Sequence, residues 1–355
     1  MAGCTRTAGG HAVAVATKAA RVSVLAALAC AATLGVVVPA RAANARFNAG
    51  NWDLAAQRLV AREGLMANIP GGGFAGSQRL SEAELSAALK AFAARERLAP
   101  LTLSSGATVS VVRFDALLVA QLGLGAVAAQ IERSAQAAGL SPPGYFGSEV
   151  VARYLELRYE HPRGEQALDL YPSEPITRAE AAYSLAALLK GGEWQLAAAR
   201  EQLTRFSLPR YSEAQLAVLR IAVSKIGMPY VWGGTTDGLE DGLEHGGYDC
   251  SGFAWRVYKV SGLPWGARIV GRTAAEQAGE IPNTQRIRLS GVQGGDLLFF
   301  GKARFNSRAT QANVIHEGIA LSDAWAIHSS GQGVYVLPLS SGWLAESFTW
   351  ARRVL

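Results

Sequence analysis

Cysteine is scarce in this chain, with three among 355 residues, and methionine (three) and histidine (five) are hardly commoner. So few cysteines exclude a disulfide-built scaffold, so stability must come from a packed core, which the 50% apolar residues readily supply. A large excess of one charge is also missing. Of the 34 basic residues, Arg6, Lys18, Arg21 and Arg41 fall in the first 42 positions, where no acid stands, and the remainder carries 30 basic against 28 acidic residues, a balance of +2. That balance, without a clustered basic face, argues against nucleic acid as a partner. The apolar run at 22–38 holds 17 residues, short of the roughly 20 needed to cross a bilayer.

That run follows basic residues and leads into Pro39-Ala40-Arg41-Ala42-Ala43. The order predicts a secretory signal over residues 1–42, cleaved after Ala42. Its length argues against a retained anchor. A lipid-anchored Cys30 fits poorly with Ala27-Leu28-Ala29 before it and an apolar run continuing past it. Cleavage removes Cys4 and Cys30 and leaves Cys250 without an intramolecular partner. Such a thiol links to another chain, lies buried and inert, or is reactive. Composition does not choose among the three.

Residues 43–192 read as short amphipathic helices between Gly, Pro and Ser turns, with periodic Ala-rich faces at 82–92 and 113–122. The stretch is internally repetitive. The segment opening at Trp52 can be laid over the one opening at Phe146, and each is followed by a second helix start, Leu80-Ser81-Glu82-Ala83-Glu84 or Ile176-Thr177-Arg178-Ala179-Glu180. A middle copy, Val111-Val112-Arg113-Phe114-Asp115, shows only the second half. Units of this kind bury their apolar faces against one another, so an all-α array of about three is expected. Residues 193–211 read as a polar helix and a Leu208-Pro209 connector. A helix is expected from Ser212 as N-cap to Ile226, stopped by Gly227 and Pro229.

Asp249-Cys250-Ser251-Gly252 precedes Phe253, Ala254, Val257 and Val260 at helical spacing, so Asp249 is expected as N-cap and Cys250 in the first turn. A thiol there faces the positive end of the helix dipole and free N–H groups, which favour thiolate. The same N–H groups can hold a developing oxyanion. A cysteine nucleophile also needs a base oriented by a third group. Of the histidines outside the leader, His161 and His245 lie in Gly- and Pro-flanked polar stretches and read as solvated loop residues. His316 and His328 fall in consecutive β-rich runs, twelve residues apart. An odd-numbered hairpin loop puts them on one face and an even-numbered loop on opposite faces; the chemistry requires the first.

Six blocks follow one another over residues 212–355. They are Met228-Pro229-Tyr230-Val231-Trp232-Gly233-Gly234, Asp249-Cys250-Ser251-Gly252-Phe253, Arg272-Thr273-Ala274-Ala275-Glu276-Gln277, Gly295-Asp296-Leu297-Leu298-Phe299-Phe300, His316-Glu317-Gly318-Ile319-Ala320-Leu321 and Ile327-His328-Ser329-Ser330-Gly331. In order and spacing they resemble the NlpC-type cell-wall peptidases, a papain-like group. The resemblance implies an α+β domain with a nucleophile-bearing helix packed on an antiparallel sheet. It implies Cys250 as nucleophile, His316 as base, His328 as the third member and Tyr230 beside the thiol, with Trp232, Asp249 and Ser251 at the substrate. Its substrate class is the peptides of peptidoglycan, typically the bond between D-glutamate and the diamino acid. Glu317 departs from the family, standing where a small apolar residue is usual. Gln293-Gly294 replaces the common proline, and the loops at 235–247 and 302–313 are long.

The helical array resembles the S-layer-homology repeat, whose second helix opens Thr-Arg-Ala-Glu. That implies a secondary cell-wall polymer as partner and Arg178 as its contact. Only Thr177-Arg178-Ala179-Glu180 keeps the motif, and Glu82 replaces the arginine in the first copy. One Cys and two His lack the company a structural zinc would need, so no metal or cofactor is expected. The combined expectation is a secreted, wall-associated cysteine peptidase, with a wall-bound protein that does not cleave, or an amidase or acyltransferase, as the alternatives.

Overall fold

The computed structural model describes residues 52–103, 109–159, 161–243 and 245–355. The expected leader, residues 1–42, lies outside them. Helix and strand are mixed, with helices throughout the first half and the main sheet in the last quarter.

Ahead of residue 205 lie α1 (Leu54–Arg62), α2 (Glu82–Glu96), α3 (Val111–Gln121), α4 (Gly125–Ala137), α5 (Phe146–Tyr154), α6 (Arg178–Lys190) and α7 (Glu193–Thr204). The starts of α2, α3 and α6 are hydroxyl-capped alike. Ser81, Ser110 and Thr177 each accept an N–H from the residue three positions on, which satisfies one of the amides a helix start leaves unpaired. Just before these caps the three segments meet. Leu80 N–H donates to Ile176 O at 2.9 Å and Ile176 N–H to Val109 O at 2.8 Å, so Ile176 lies between its two counterparts. The 193–211 stretch is packed rather than free: Ala199, Leu203 and Phe206 are buried, and the Phe206 ring lies 4.9 Å from that of Trp325. One continuous hydrophobic core thus runs from Ala56 to Val354.

α8 (Glu213–Ser224) starts at a full capping box of Ser212 with Gln215. A short hairpin of β1 (Thr235–Thr236) and β2 (Gly247–Tyr248) leads into α9 (Cys250–Val260), followed by α10 (Ala274–Gly279). The main sheet contains β3 (Leu297–Gly301), β4 (Val314–Ala320), β5 (Trp325–Ser330), β6 (Gly333–Pro338) and β7 (Phe348–Arg352), in the order β6-β5-β4-β3-β7 and antiparallel throughout; α11 (Gly342–Ser347) precedes β7. Strand alternation divides its side chains. Leu297, Phe299, Ile319 and Ile327 share a core with Phe253, Ala254 and Val257 of α9, whereas Leu298, Phe300, Ala320 and Ala326 cluster with Leu344 of α11.

Candidate active site

The turn that leads into Cys250 is a knot of backbone. Tyr248 N–H donates to Pro229 O at 3.1 Å, Val231 N–H to Tyr248 O at 3.2 Å, and Asp249 N–H to Gly234 O at 3.2 Å. Glycine is required where these strands cross: a Cβ on Gly252 would run into the Gly234 carbonyl, and one on Gly234 would come within 2.5 Å of the Gly247 carbonyl. Asp249 caps α9 by accepting from Gly252 N–H at 2.6 Å, and its other oxygen accepts from Gly233 N–H at 3.0 Å. Arg272 then grips both oxygens, at 3.0 and 2.9 Å, while donating to Gly233 O at 2.7 Å and Ser251 Oγ at 3.2 Å. A planar guanidinium can make these bonds at once, and it holds the cap rigid.

Cys250, half-buried, is therefore the first residue of α9, as the N-cap pattern predicts. Its ionisation is another matter. The amides of Ser251 and Glu317 favour thiolate, but burial together with the Asp249 and Glu317 carboxyls outweighs them and pushes the thiol up to about 12. Glu317 itself is fully buried, and among the described residues neither of its carboxyl oxygens has a hydrogen-bond partner. Burial raises its own pKa well above the carboxylate range. The thiolate expected at the helix terminus is thus not the resting form; desolvation wins over the dipole.

His316 and His328 share one sheet face. The register pairs His328 with Gly318, so His316 sits diagonally one step along, and His316 Nε2 lies 2.9 Å from His328 Nδ1. The odd-loop alternative is the one adopted, with a diagonal rather than a direct pairing. Gly318 makes room, since a Cβ there would stand 3.0 Å from that of His328. Phe300 and Trp343 close over the His316 ring at 5.8 and 4.9 Å. Burial lowers both histidines, His316 well below its ordinary value and His328 to about 3. Both rings are neutral. With Nε2 of His316 engaged, Nδ1 is the nitrogen available to take a proton. That tautomer requires Nε2–H to donate and His328 Nδ1 to accept.

The thiol comes up to the margin of β4. The β4–β5 ladder ends at Gly318, so the strand edge at 314–317 is open on that side, and the sulfur meets it at the Glu317 amide, one residue from His316. The fold thus brings Cys250 to the amide next to His316, and His316 to His328. Tyr230 is half-buried and makes a backbone bridge to Tyr248, two residues before Cys250. Trp232 is 57% exposed beside the glycine knot.

Other expected site residues are committed elsewhere. Ser251 is buried and bonded to Arg272, and Asp249 is consumed by the cap and the clamp, so both shape the turn. Arg178, expected at a polymer, is 2% exposed: it donates to Phe74 O at 2.9 Å and Ala67 O at 2.6 Å, pairs with Glu84 and stacks on Phe74. His161, read as a solvated loop residue, is buried, with Nδ1 2.8 Å from Asp169; His245 is half-buried and packs at 4.3 Å on Tyr171. Sequence reasoning missed the clamp of Arg272 and the buried Gln277, which donates to Ser251 O at 3.2 Å. Both lie in the block opening at Arg272; an arginine and an amide in an otherwise small-residue stretch were the available signal. Beside that block a cavity of about 560 Å³ opens between α10 and the 302–313 loop, lined by Glu276, Glu280, Arg308 and Thr310.

The arrangement is a thiol at a helix start beside β4, which carries His316, with His328 paired to it from β5. Residues 227–353 match the family model described as the NlpC/P60 family, and this C-terminal part of the chain is an NlpC/P60 domain. The chain is 30% identical over 132 residues to the gamma-D-glutamyl-L-lysine dipeptidyl-peptidase of Bacillus cereus (strain ATCC 10987 / NRS 248), covering 37% of this chain and 33% of that protein. It is 30% identical over 132 residues to the probable peptidoglycan endopeptidase LytE of Bacillus subtilis (strain 168), covering 37% and 32%. Among solved structures, the NlpC/p60 domain of the peptidoglycan hydrolase SagA is 30% identical and covers 39% of this chain and 97% of that one, with a TM-score of 0.29. The chain spans about a third of the length of the curated relatives it matches. Among the described residues, no helix is long and apolar enough to cross a membrane.

Proposed function

We propose that this chain is an exported cysteine peptidase of the bacterial cell wall that cuts peptidoglycan stem peptides between D-glutamate and the diamino acid. The observation that carries the reading is the placement of Cys250 at the start of α9, with its sulfur against the Glu317 amide and the 2.9 Å His316–His328 pair one residue further along β4. The NlpC/P60 match over 227–353, and relatives named as γ-D-glutamyl and peptidoglycan peptidases, support the substrate class.

The reaction starts from a neutral thiol and a neutral imidazole. As the scissile carbonyl arrives, His316 Nδ1 takes the Cys250 proton while sulfur attacks the carbonyl carbon. The oxyanion forms beside the N–H groups that open α9. Collapse expels the amine of the diamino acid, which takes the proton from His316 and leaves a thioester on Cys250. Water then loses a proton to His316, attacks the thioester and releases the D-glutamyl carboxyl group, and the thiol is restored. His328 holds the His316 ring in the tautomer that accepts at Nδ1. In this reading the array over 43–192 is S-layer-homology-like, the catalytic domain spans 212–355 with a papain-like plan, and residues 1–42 are the export signal.

The test is digestion of purified peptidoglycan with mass spectrometry of the released fragments, with Cys250→Ala alongside. Wild type is expected to release fragments beginning at the diamino acid, and the variant none. Equal release from both would sink the mechanism; release of other bonds' products by wild type alone would move the reading to an amidase.

A further inference from the structure

The strip at 227–231 is where the two sides of the site join. On one side Gly227 N–H donates to Val334 O and Val334 N–H to Met228 O, both at 2.8 Å, so the strip borders β6. β6 in turn pairs with β5, Tyr335 opposite His328. On the other side the strip is laced through Pro229 and Val231 to Tyr248, two residues before Cys250. Its position therefore sets where the nucleophile stands relative to the histidine pair.

The helical part presses on this strip through Arg153 of α5, which is 4% exposed. Its Nε donates at 2.9 Å to Glu149, one turn earlier, and its Nη2 donates at 3.2 Å to Gly227 O. Its own carbonyl accepts from Gln332 Nε2 at 3.0 Å, at the residue that opens into β6. Two glycines permit the fit. Gly227 has φ +87°, and a Cβ there would come within 3.0 Å of Pro172 and 3.3 Å of the Glu149 carboxylate; one on Gly333 would run into the Met228 carbonyl and lie 3.3 Å from Arg153 Nη1. A second tether acts nearby: Tyr171, ahead of α6, donates to Asp237 O at 3.0 Å in the loop that leads to the nucleophile.

We propose that Arg153 is a positioning residue of the hydrolytic site, and that through it the helical array is a structural half of that site rather than only an anchor or spacer. Glu149 fixes the plane of the guanidinium and so aims Nη2 at Gly227. A lysine is a single point donor and cannot hold both partners in that geometry. The activity arm of the test rests on the peptidase reading; the thiol arm does not.

The experiment uses the full chain with Arg153→Lys. Iodoacetamide labelling of Cys250 is followed against pH by peptide mapping, together with kcat and KM on a γ-D-glutamyl-diamino acid peptide and the thermal midpoint. The folded variant is expected to label at a rate changed by at least about threefold and to show kcat about tenfold lower with KM within about twofold, the pattern of a lost transition-state alignment. A folded variant with the wild-type labelling profile overturns the proposal. If Arg153→Lys does not fold, Gln332→Ala, which removes the second contact, takes its place with the same two deciding results. A wild type that cleaves no such peptide defeats the peptidase reading, and labelling alone then decides the role of Arg153.

Discussion

The helical half and the sheet half both bury polar side chains, and they treat them differently. Among the helices the buried charges stand beside opposite charges, although both oxygens of Asp115 lack a hydrogen-bond partner among the described residues. Arg178 meets Glu84 and two carbonyls, Arg153 meets Glu149, Arg158 lies 3.2 Å from Asp115, and His161 lies 2.8 Å from Asp169. In the sheet half, among the described residues, no cation acts on the thiol, the two histidines are held neutral, and neither Glu317 oxygen has a hydrogen-bond partner. Matched groups hold a fold together, because each donor has replaced its water. Groups left with spare capacity in a dry site are those that can exchange a proton with something that enters. A motif arginine such as Arg178 and a motif cysteine such as Cys250 look alike in a sequence scan; the contrast between them is whether their bonding capacity is already used.

The sharpest way to break this contrast is at the histidine pair. His328→Ala is expected to lower kcat about 10- to 100-fold, the usual weight of a group that orients a base, while Cys250 still reacts with iodoacetamide. Unchanged turnover in the steady state would make His328 a packing residue. The pair also fixes an acid limit. The ordinary histidine value is 6.5 and burial takes His328 to about 3, so the folded state resists protonation that the unfolded chain accepts. Stability from this source is intact above about pH 6.5 and is lost as pH falls towards 3. Chemical denaturation across that window checks it, and His328→Ala is expected to flatten the decline.

Arg272→Ala is the intermediate case, because Arg272 touches no reacting atom. Losing its clamp on Asp249 is expected to lower kcat/KM about tenfold and to cost about 1–2 kcal/mol, discounted for the partial exposure of the guanidinium. Denaturant melts and initial rates give both numbers. Full activity would show that the N-cap bond to Gly252 suffices by itself.

The smallest effect on activity is expected from Arg178→Ala. With its donors spent inside the array, the substitution is expected to destabilise by about 2–3 kcal/mol, the cost of removing one member of a buried ionic cluster, and to change turnover less than about twofold. Sedimentation with wall sacculi is expected to be the same for the folded variant and wild type. Lost sedimentation with unchanged stability would restore Arg178 to a polymer site and erase the contrast between the two halves.

Much of the site was legible in the chain, because local rules govern it. Asp249 as cap, Cys250 in the first turn of α9 and the hydroxyl caps of the second helices follow from short-range hydrogen bonding, which needs only a few neighbouring residues. The strand alternation of β4 and β5 put His316 and His328 on one face once an odd-numbered loop was allowed, since side-chain parity is a property of spacing. What distant segments contribute was not legible: the diagonal register, the clamp of Arg272, the burial of His161 and Arg178, and the press of Arg153 on Gly227. The ionisation of Cys250 divides in the same way. Sequence placed it at the positive end of a helix, a local field that lowers its pKa. Tertiary packing surrounded it with protein and two carboxyls and raised it, because desolvation depends on everything within reach of the sulfur and not on its neighbours in the chain.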